Sequence, residues 1–268
     1  MGKTVSQIRA IALNMLQEIL RKRVLYVAAI LVVLIFGIIF AQQKLLQMAS
    51  VAGESTEQMT ANIVRQALAV WSVAAVVLAL FLGAGGISSE VTAKTIVHVL
   101  SRPVQRSAYL AGRWLGTLIF LWAFQLLGIL SALVIIKVFD VHFSPIFWAG
   151  CAEMLVDAVF LSGISLSLSV CLPPVLAGGC AFLLGIASSF IGSTWQHPQW
   201  LLRQLANMGY YLLPAEMPED LISESLRKDL LHPNFTLYFQ VMGENLLYTL
   251  AIFAVACAVF AHRELRLR

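Results

Sequence analysis

ISSEVTAKTIVHVLSRPVQRSAYLAGRWLG, residues 87–116, is the long internal run in which charge, helical periodicity and a proline break meet between two apolar stretches. At about 100° per residue, Glu90, Lys94, His98 and Arg102 follow one another at i, i+4 down one lane of a helix, with Thr95 and Ser101 beside them. Ala93, Ile96, Val97, Val99 and Leu100 cover the other side, and Val91 alone falls in the wrong sector. Pro103 stops the helix, because it lacks the amide donor and disfavours helical geometry at Arg102. An amphipathic helix tied to apolar spans at both ends lies at the bilayer surface, apolar face down and charged lane in water. The stretch therefore reads either as a solvated linker or as an element that couples the membrane part to something outside it.

Working outward, the apolar runs on either side are residues 67–87 and 111–136, each long enough for a hydrocarbon core of about 30 Å. Gly83, Gly85 and Gly86 close the first and allow another helix to approach, or the chain to bend. Further spans are expected at 24–41, 146–170, 175–195 and 241–261. Residues 42–66 read as a polar loop, Cys171-Leu-Pro-Pro174 as a tight turn, and 196–240 as an extracytoplasmic segment with a helix opened by Pro218-Glu219-Asp220. Composition agrees: 60% of the 268 residues are hydrophobic, 12% are charged, and the mean hydropathy is +0.85. The expected fold is an all-α, polytopic membrane protein, one membrane domain over 1–268. It has six transmembrane helices, an N-terminal interfacial helix and a cytoplasmic amphipathic coupling helix over 88–106.

The N-terminal helix is read from Val5, Ile8, Ala12, Met15 and Ile19, which recur every three or four residues ahead of Arg21-Lys22-Arg23. The exit of the first span, Ala41-Gln42-Gln43-Lys44, has no small-x-small cleavage pattern, so the first span is expected to be an anchor rather than a leader. Twelve Lys and Arg residues cluster at the two termini and around the coupling run, against six elsewhere (Lys44, Arg65, Lys137, Arg203, Arg227 and Lys228). That bias puts both termini in the cytoplasm. The net charge of +4 sits beside apolar spans rather than on a polar domain, which argues against a nucleic-acid partner.

Glu153 and Asp157 are the costly residues, two carboxylates at i, i+4 on one face of the fourth span. At 1.5 Å per residue, Asp157 lies about 17 Å in from Ile146, near the midplane. They either bond within the bundle, Glu153 near Lys137 for instance, or line a translocation path. Ser162, Ser165, Ser167 and Ser169 read as packing glue between helices. Trp71, Trp148, Trp195 and Tyr238 on one side, with Tyr26, Tyr109 and Trp114 on the other, form the aromatic belts expected at the two interfaces. Cys151, Cys171, Cys180 and Cys257 lack metal-ligand spacing and read as small buried hydrophobes. No nucleophile and base or metal-ligand set stands out, so no catalytic role, cofactor or metal is expected in this chain.

Glu90, Thr95, Leu100, Pro103-Val104, Arg106 and Gly112-Arg113 resemble the E-x4-T…L…P-V-x-R…G-K pattern that follows the second span in permeases of the ATP-binding cassette exporter type-2 class. The match covers about thirty residues, with Lys94 where the family often has glycine and Arg113 where lysine is common. The chain has no G-x-x-x-x-G-K-[ST] loop to hold nucleotide phosphates. The resemblance accordingly implies a separate ATPase subunit that binds ATP and Mg, two ATPases and a second permease copy per assembly, and a bacterial inner-membrane location. It further implies that Glu90, Lys94, Thr95, His98, Arg102 and Arg106 contact the ATPase. Against this stand two other classes, an ion-coupled transporter or channel using Glu153 and Asp157, and a membrane-embedded enzyme. The coupling pattern favours the exporter.

Overall fold

Hydrocarbon offers a backbone no water to bond, so a chain this apolar satisfies its amides within helices. The computed structural model describes residues 2–21, 24–49, 56–92, 105–138, 143–194 and 235–262, and among them it is helical with no strand. The helices are α1 (Gly2–Arg21), α2 (Val24–Ala49), α3 (Thr56–Thr92), α4 (Arg106–Val138), α5 (Ile146–Ser169), α6 (Pro174–Thr194) and α7 (Phe235–His262). Four stretches are long and apolar enough to cross a membrane: Ala61–Gly86, Arg106–Val138, Ile146–Ser169 and Tyr238–His262. Shorter apolar stretches lie at Tyr26–Ile38 in α2 and Pro174–Ile186 in α6. Large apolar side chains such as Val33, Phe81, Leu127, Val134, Leu183 and Leu247 stay exposed, a surface suited to lipid and not to water. The chain is an integral membrane protein.

The helices outrun the apolar stretches that mark them. α2 continues through Gln42-Gln43-Lys44 to Ala49 and α3 begins at Thr56, so most of the polar stretch read as a loop over 42–66 is helical. Gln, Leu, Lys, Met and Ala cost little in a helix, and a helix leaving the bilayer has no reason to stop at its edge. α3 likewise runs straight through Gly83, Gly85 and Gly86 to Thr92, carrying Glu90 with it. α7 starts at Phe235, inside the segment expected to be extracytoplasmic, while 195–234 lie outside the described residues. α5 and α6 are joined by the tight turn expected, and Pro174 takes the first helical position, where its missing amide costs nothing.

α3 and α5 form the centre. α3 packs against α2, α4, α5 and α6, and α5 packs against α3, α4, α6 and α7. α5 is the most enclosed of the four long apolar helices and α7 the least. α3 and α5 close up at Gly83, where an added Cβ would stand 2.8 Å from Ser165 Cβ and 3.0 Å from Ser162 O. That approach lets Ser165 Oγ donate to Leu80 O at 2.9 Å, across the interface. Ser162 Oγ accepts from Trp114 Nε1 at 3.3 Å, whereas Ser167 and Ser169 bond back to their own helix. Two of the four serines thus join helices.

Antiparallel packing sorts the bundle into two ends. At one, Tyr109 and Leu110 of α4 meet Leu166 and Val170 at the end of α5 and Ala256 and Phe260 near the end of α7. At the other, Val64 and Leu68 of α3 meet Ile129–Ile136 of α4 and Phe147, Cys151 and Met154 of α5. Several of the rings expected in interfacial belts are buried against neighbouring helices. Trp71, Tyr109, Trp114 and Tyr238 are buried, while Tyr26 and Trp148 are exposed. A buried indole needs a partner for its N–H, and neighbouring helices provide one: Trp71 Nε1 donates to Phe124 O at 2.8 Å. Cys171, expected to be buried, is exposed in the α5–α6 turn; Cys151 is buried and Cys180 and Cys257 are partly so.

Candidate functional site

Glu153 and Asp157 lie one helical turn apart on α5, and the face they share turns toward the N-terminal half of α3. There, Arg65, Leu68, Ala69 and Ser72 recur at helical spacing, so one face of α3 offers a guanidinium, two small or apolar groups and a hydroxyl. Together with Met154 these residues line a cavity of about 140 Å³. Its wall is therefore of two kinds, with Leu68 and Met154 buried as its apolar side and Glu153, Asp157, Ser72 and Arg65 as its polar side. Asp157 is partly buried, as expected of a carboxylate on a cavity wall.

Both carboxylates singled out in the sequence are thus brought together, and with them comes a cation that sequence reasoning had assigned to an outer loop. Arg65 lies two residues before the apolar run used to mark the second span, so it read as a flanking charge. The available signal was the recurrence of Arg65 and Ser72 at i, i+7, which places them on the same side of a helix. Lys137, the alternative partner considered for Glu153, is exposed in the last turn of α4.

The coupling residues fare differently. Glu90 is two residues from the end of α3, whereas Lys94, Thr95, His98 and Arg102 lie outside the described residues. Arg106 opens α4 and its Nη1 donates to Phe260 O at 3.3 Å and to Ala261 O at 3.2 Å. Those carbonyls belong to the last turn of α7, where helical oxygens lack in-helix donors and the helix dipole is negative. The element that follows the coupling run is therefore tied to the C-terminal helix.

Beside it, α1 crosses α4 at close range. A Cβ on Gly112 would meet Ile11 Cβ at 2.7 Å, and one on Gly116 would meet Ala12 O at 2.7 Å and Met15 Cβ at 2.8 Å. The apolar lane read from the sequence is the lane used, with Ala12, Met15 and Ile19 buried, although Val5 stays exposed. Arg113, between the two glycines, is buried: its Nη1 lies 3.6 Å from Glu18 Oε2 and donates to Tyr109 Oη at 3.3 Å, with the guanidinium over the Tyr109 ring. Its charge, counted in the sequence among the basic residues of the coupling region, lies against α1.

Among curated proteins no relative matches the chain. The family model described as ABC-2 family transporter protein matches residues 9–265, which takes in α1 from residue 9 onward and all of α2 to α7. The chain belongs to the ABC-2 transporter family and is a transmembrane component of an ABC transporter, with an ATPase as its partner.

Proposed function

We propose that this chain is the permease subunit of an ATP-driven exporter, forming the substrate path and coupling it to a separate ATPase. The observation that carries the reading is the family match over residues 9–265, because the chain itself has no phosphate-holding loop and must take its energy from a partner. In this reading all six apolar stretches span the membrane, with α2 and α6 as the shorter two. Both termini are cytoplasmic, in agreement with the charge bias and with the start of α4 and the end of α7 lying together. The run 88–106 docks on the ATPase through Glu90, Lys94, Thr95, His98, Arg102 and Arg106, and Glu153 and Asp157 lie on the path. ATP and Mg bind to the ATPase, and this chain performs no catalysis. Two permeases and two ATPases assemble in the bacterial inner membrane.

The test is charge reversal at Glu90 together with Arg102, followed by co-purification and coupled hydrolysis. Weakened ATPase capture, or hydrolysis no longer stimulated by the permease, supports docking. Unchanged capture and coupling would reduce the run to an interfacial linker. The alternative reading, an ion-coupled carrier or channel using Glu153 and Asp157, predicts transport that persists when ATP is withheld.

A further inference from the structure

The cavity between α3 and α5 has a composition that selects its ligand. Its lining carries one guanidinium, Arg65, against two carboxylates, Glu153 and Asp157, leaving an excess of one negative charge. Among the described residues nothing hydrogen-bonds or ion-pairs with Asp157, which lies near the middle of α5 with its side chain partly buried on the cavity wall. A carboxylate held at that depth is costly unless a positive group meets it. The volume of about 140 Å³ is close to the roughly 150 Å³ that takes up a benzene molecule, so space exists for a ligand fragment of about six heavy atoms.

A bare alkali ion fits this wall poorly. Ions of that kind are held by oxygens on all sides, whereas here Leu68, Ala69 and Met154 make one side apolar. A group with a cationic head and a short hydrocarbon body matches both sides at once, ammonium toward Asp157, Glu153 and the Ser72 hydroxyl, methylenes against Leu68 and Met154. We propose that this cavity is a binding site for an alkylammonium group, with Asp157 as its counter-ion and Ala69 setting the space for the alkyl chain. For its purpose, recognition of a cationic amphiphile along the transport path, the proposal rests on the permease reading; binding itself needs no ATPase.

The experiment uses the full chain in detergent or lipid nanodiscs, without the ATPase, and follows the thermal midpoint as n-butylammonium chloride is added. The expected result is a saturable rise that 1-butanol does not produce and that potassium chloride at the same concentration does not produce. Asp157→Asn keeps the shape of the side chain and should weaken apparent affinity at least tenfold. Ala69→Leu, which fills the cavity without changing charge, should do the same, each variant being read against its own unliganded midpoint. Equal affinity in wild type and Asp157→Asn, or an equal response to 1-butanol, would overturn the proposal; an equal, saturable response to potassium would also overturn it, by assigning the cavity to a bare ion. Amine binding that survives in a chain unable to capture an ATPase would count against the permease reading alone.

Discussion

Arg113 and Glu18 are paired across the α1–α4 crossing at 3.6 Å, the arginine side chain 6% exposed and the glutamate 26%. Removing one partner of a buried pair strands the other, at a cost of about 3–5 kcal/mol, while replacing both with apolar groups is often neutral. Glu18→Gln is therefore expected to lower the thermal midpoint of the purified protein, by an amount near the lower end of that range because Glu18 is partly wet. The double variant Glu18→Gln with Arg113→Met should recover most of the loss. A double variant no more stable than Glu18→Gln alone would show that the pair contributes net stability.

Two glycines two residues apart on α3 should respond oppositely. At Gly83 an added Cβ meets Ser165 and the backbone of Ser162, whereas at Gly85 it meets nothing within 4 Å. Gly83→Val is expected to cost about 1–3 kcal/mol by overpacking, while Gly85→Ala should be neutral or slightly stabilising, since alanine is the better helix former. Denaturation of the two variants side by side is the measurement, and equal losses would contradict the α3–α5 contact.

Trp71 separates a hydrogen bond from a packing contribution. Its ring stacks on Phe124 at 5.1 Å between centroids, and its Nε1 donates to Phe124 O at 2.8 Å. Trp71→Phe keeps an aromatic ring and loses the donor, so about 1 kcal/mol should go. Trp71→Ala empties the site and should cost about 3–5 kcal/mol.

Arg106→Gln tests whether the tie to α7 is structural. Loss of a cation from a helix C-terminus costs about 0.3–1 kcal/mol, and the C-terminal turn ending at His262 should become more accessible to carboxypeptidase. Arg106→Lys should retain the charge interaction and part of the protection. Fastest trimming of the glutamine variant, with the lysine variant between it and wild type, is the expected pattern, and equal trimming of all three proteins would remove the anchoring role.

Cysteine labelling checks the orientation. Cysteines introduced at Gly2 and Arg268 should react only after the cytoplasm is made accessible, and one at Glu224 should react with an impermeant reagent from outside. Labelling of position 268 from outside would overturn the proposed topology.

What the sequence made legible was whatever depends on one helix at a time. Long apolar runs marked the α3, α4, α5 and α7 stretches, the three- and four-residue recurrence of Ala12, Met15 and Ile19 marked the buried lane of α1, and depth from Ile146 singled out Asp157. What stayed illegible depends on which face meets which neighbour. Arg65 lies just outside an apolar window, so hydropathy assigns it to a loop, and Arg113, at the start of the 111–136 run, is counted with the basic residues of the coupling region. Trp71 and Trp114 occur near span ends, where belts are expected, and only the carbonyl of Phe124 and the hydroxyl of Ser162 explain why they turn inward. Of the six residues expected to contact the ATPase, Glu90 and Arg106 fall among the described residues, and Arg106 has an intramolecular role that no linear pattern indicates.

The seating of α1 on α4 has a consequence for biosynthesis. Met15 packs on Gly116, about a hundred residues further along the chain. At the usual 5–20 residues per second of translation, α1 leaves the ribosome roughly 5–20 s before the groove that receives it exists. During that interval the apolar lane of Ala12, Met15 and Ile19 needs another shelter, and the lipid headgroup region beside the insertion site can offer it. On this timing the first helix is expected to rest on the bilayer until Gly112 and Gly116 arrive to receive it.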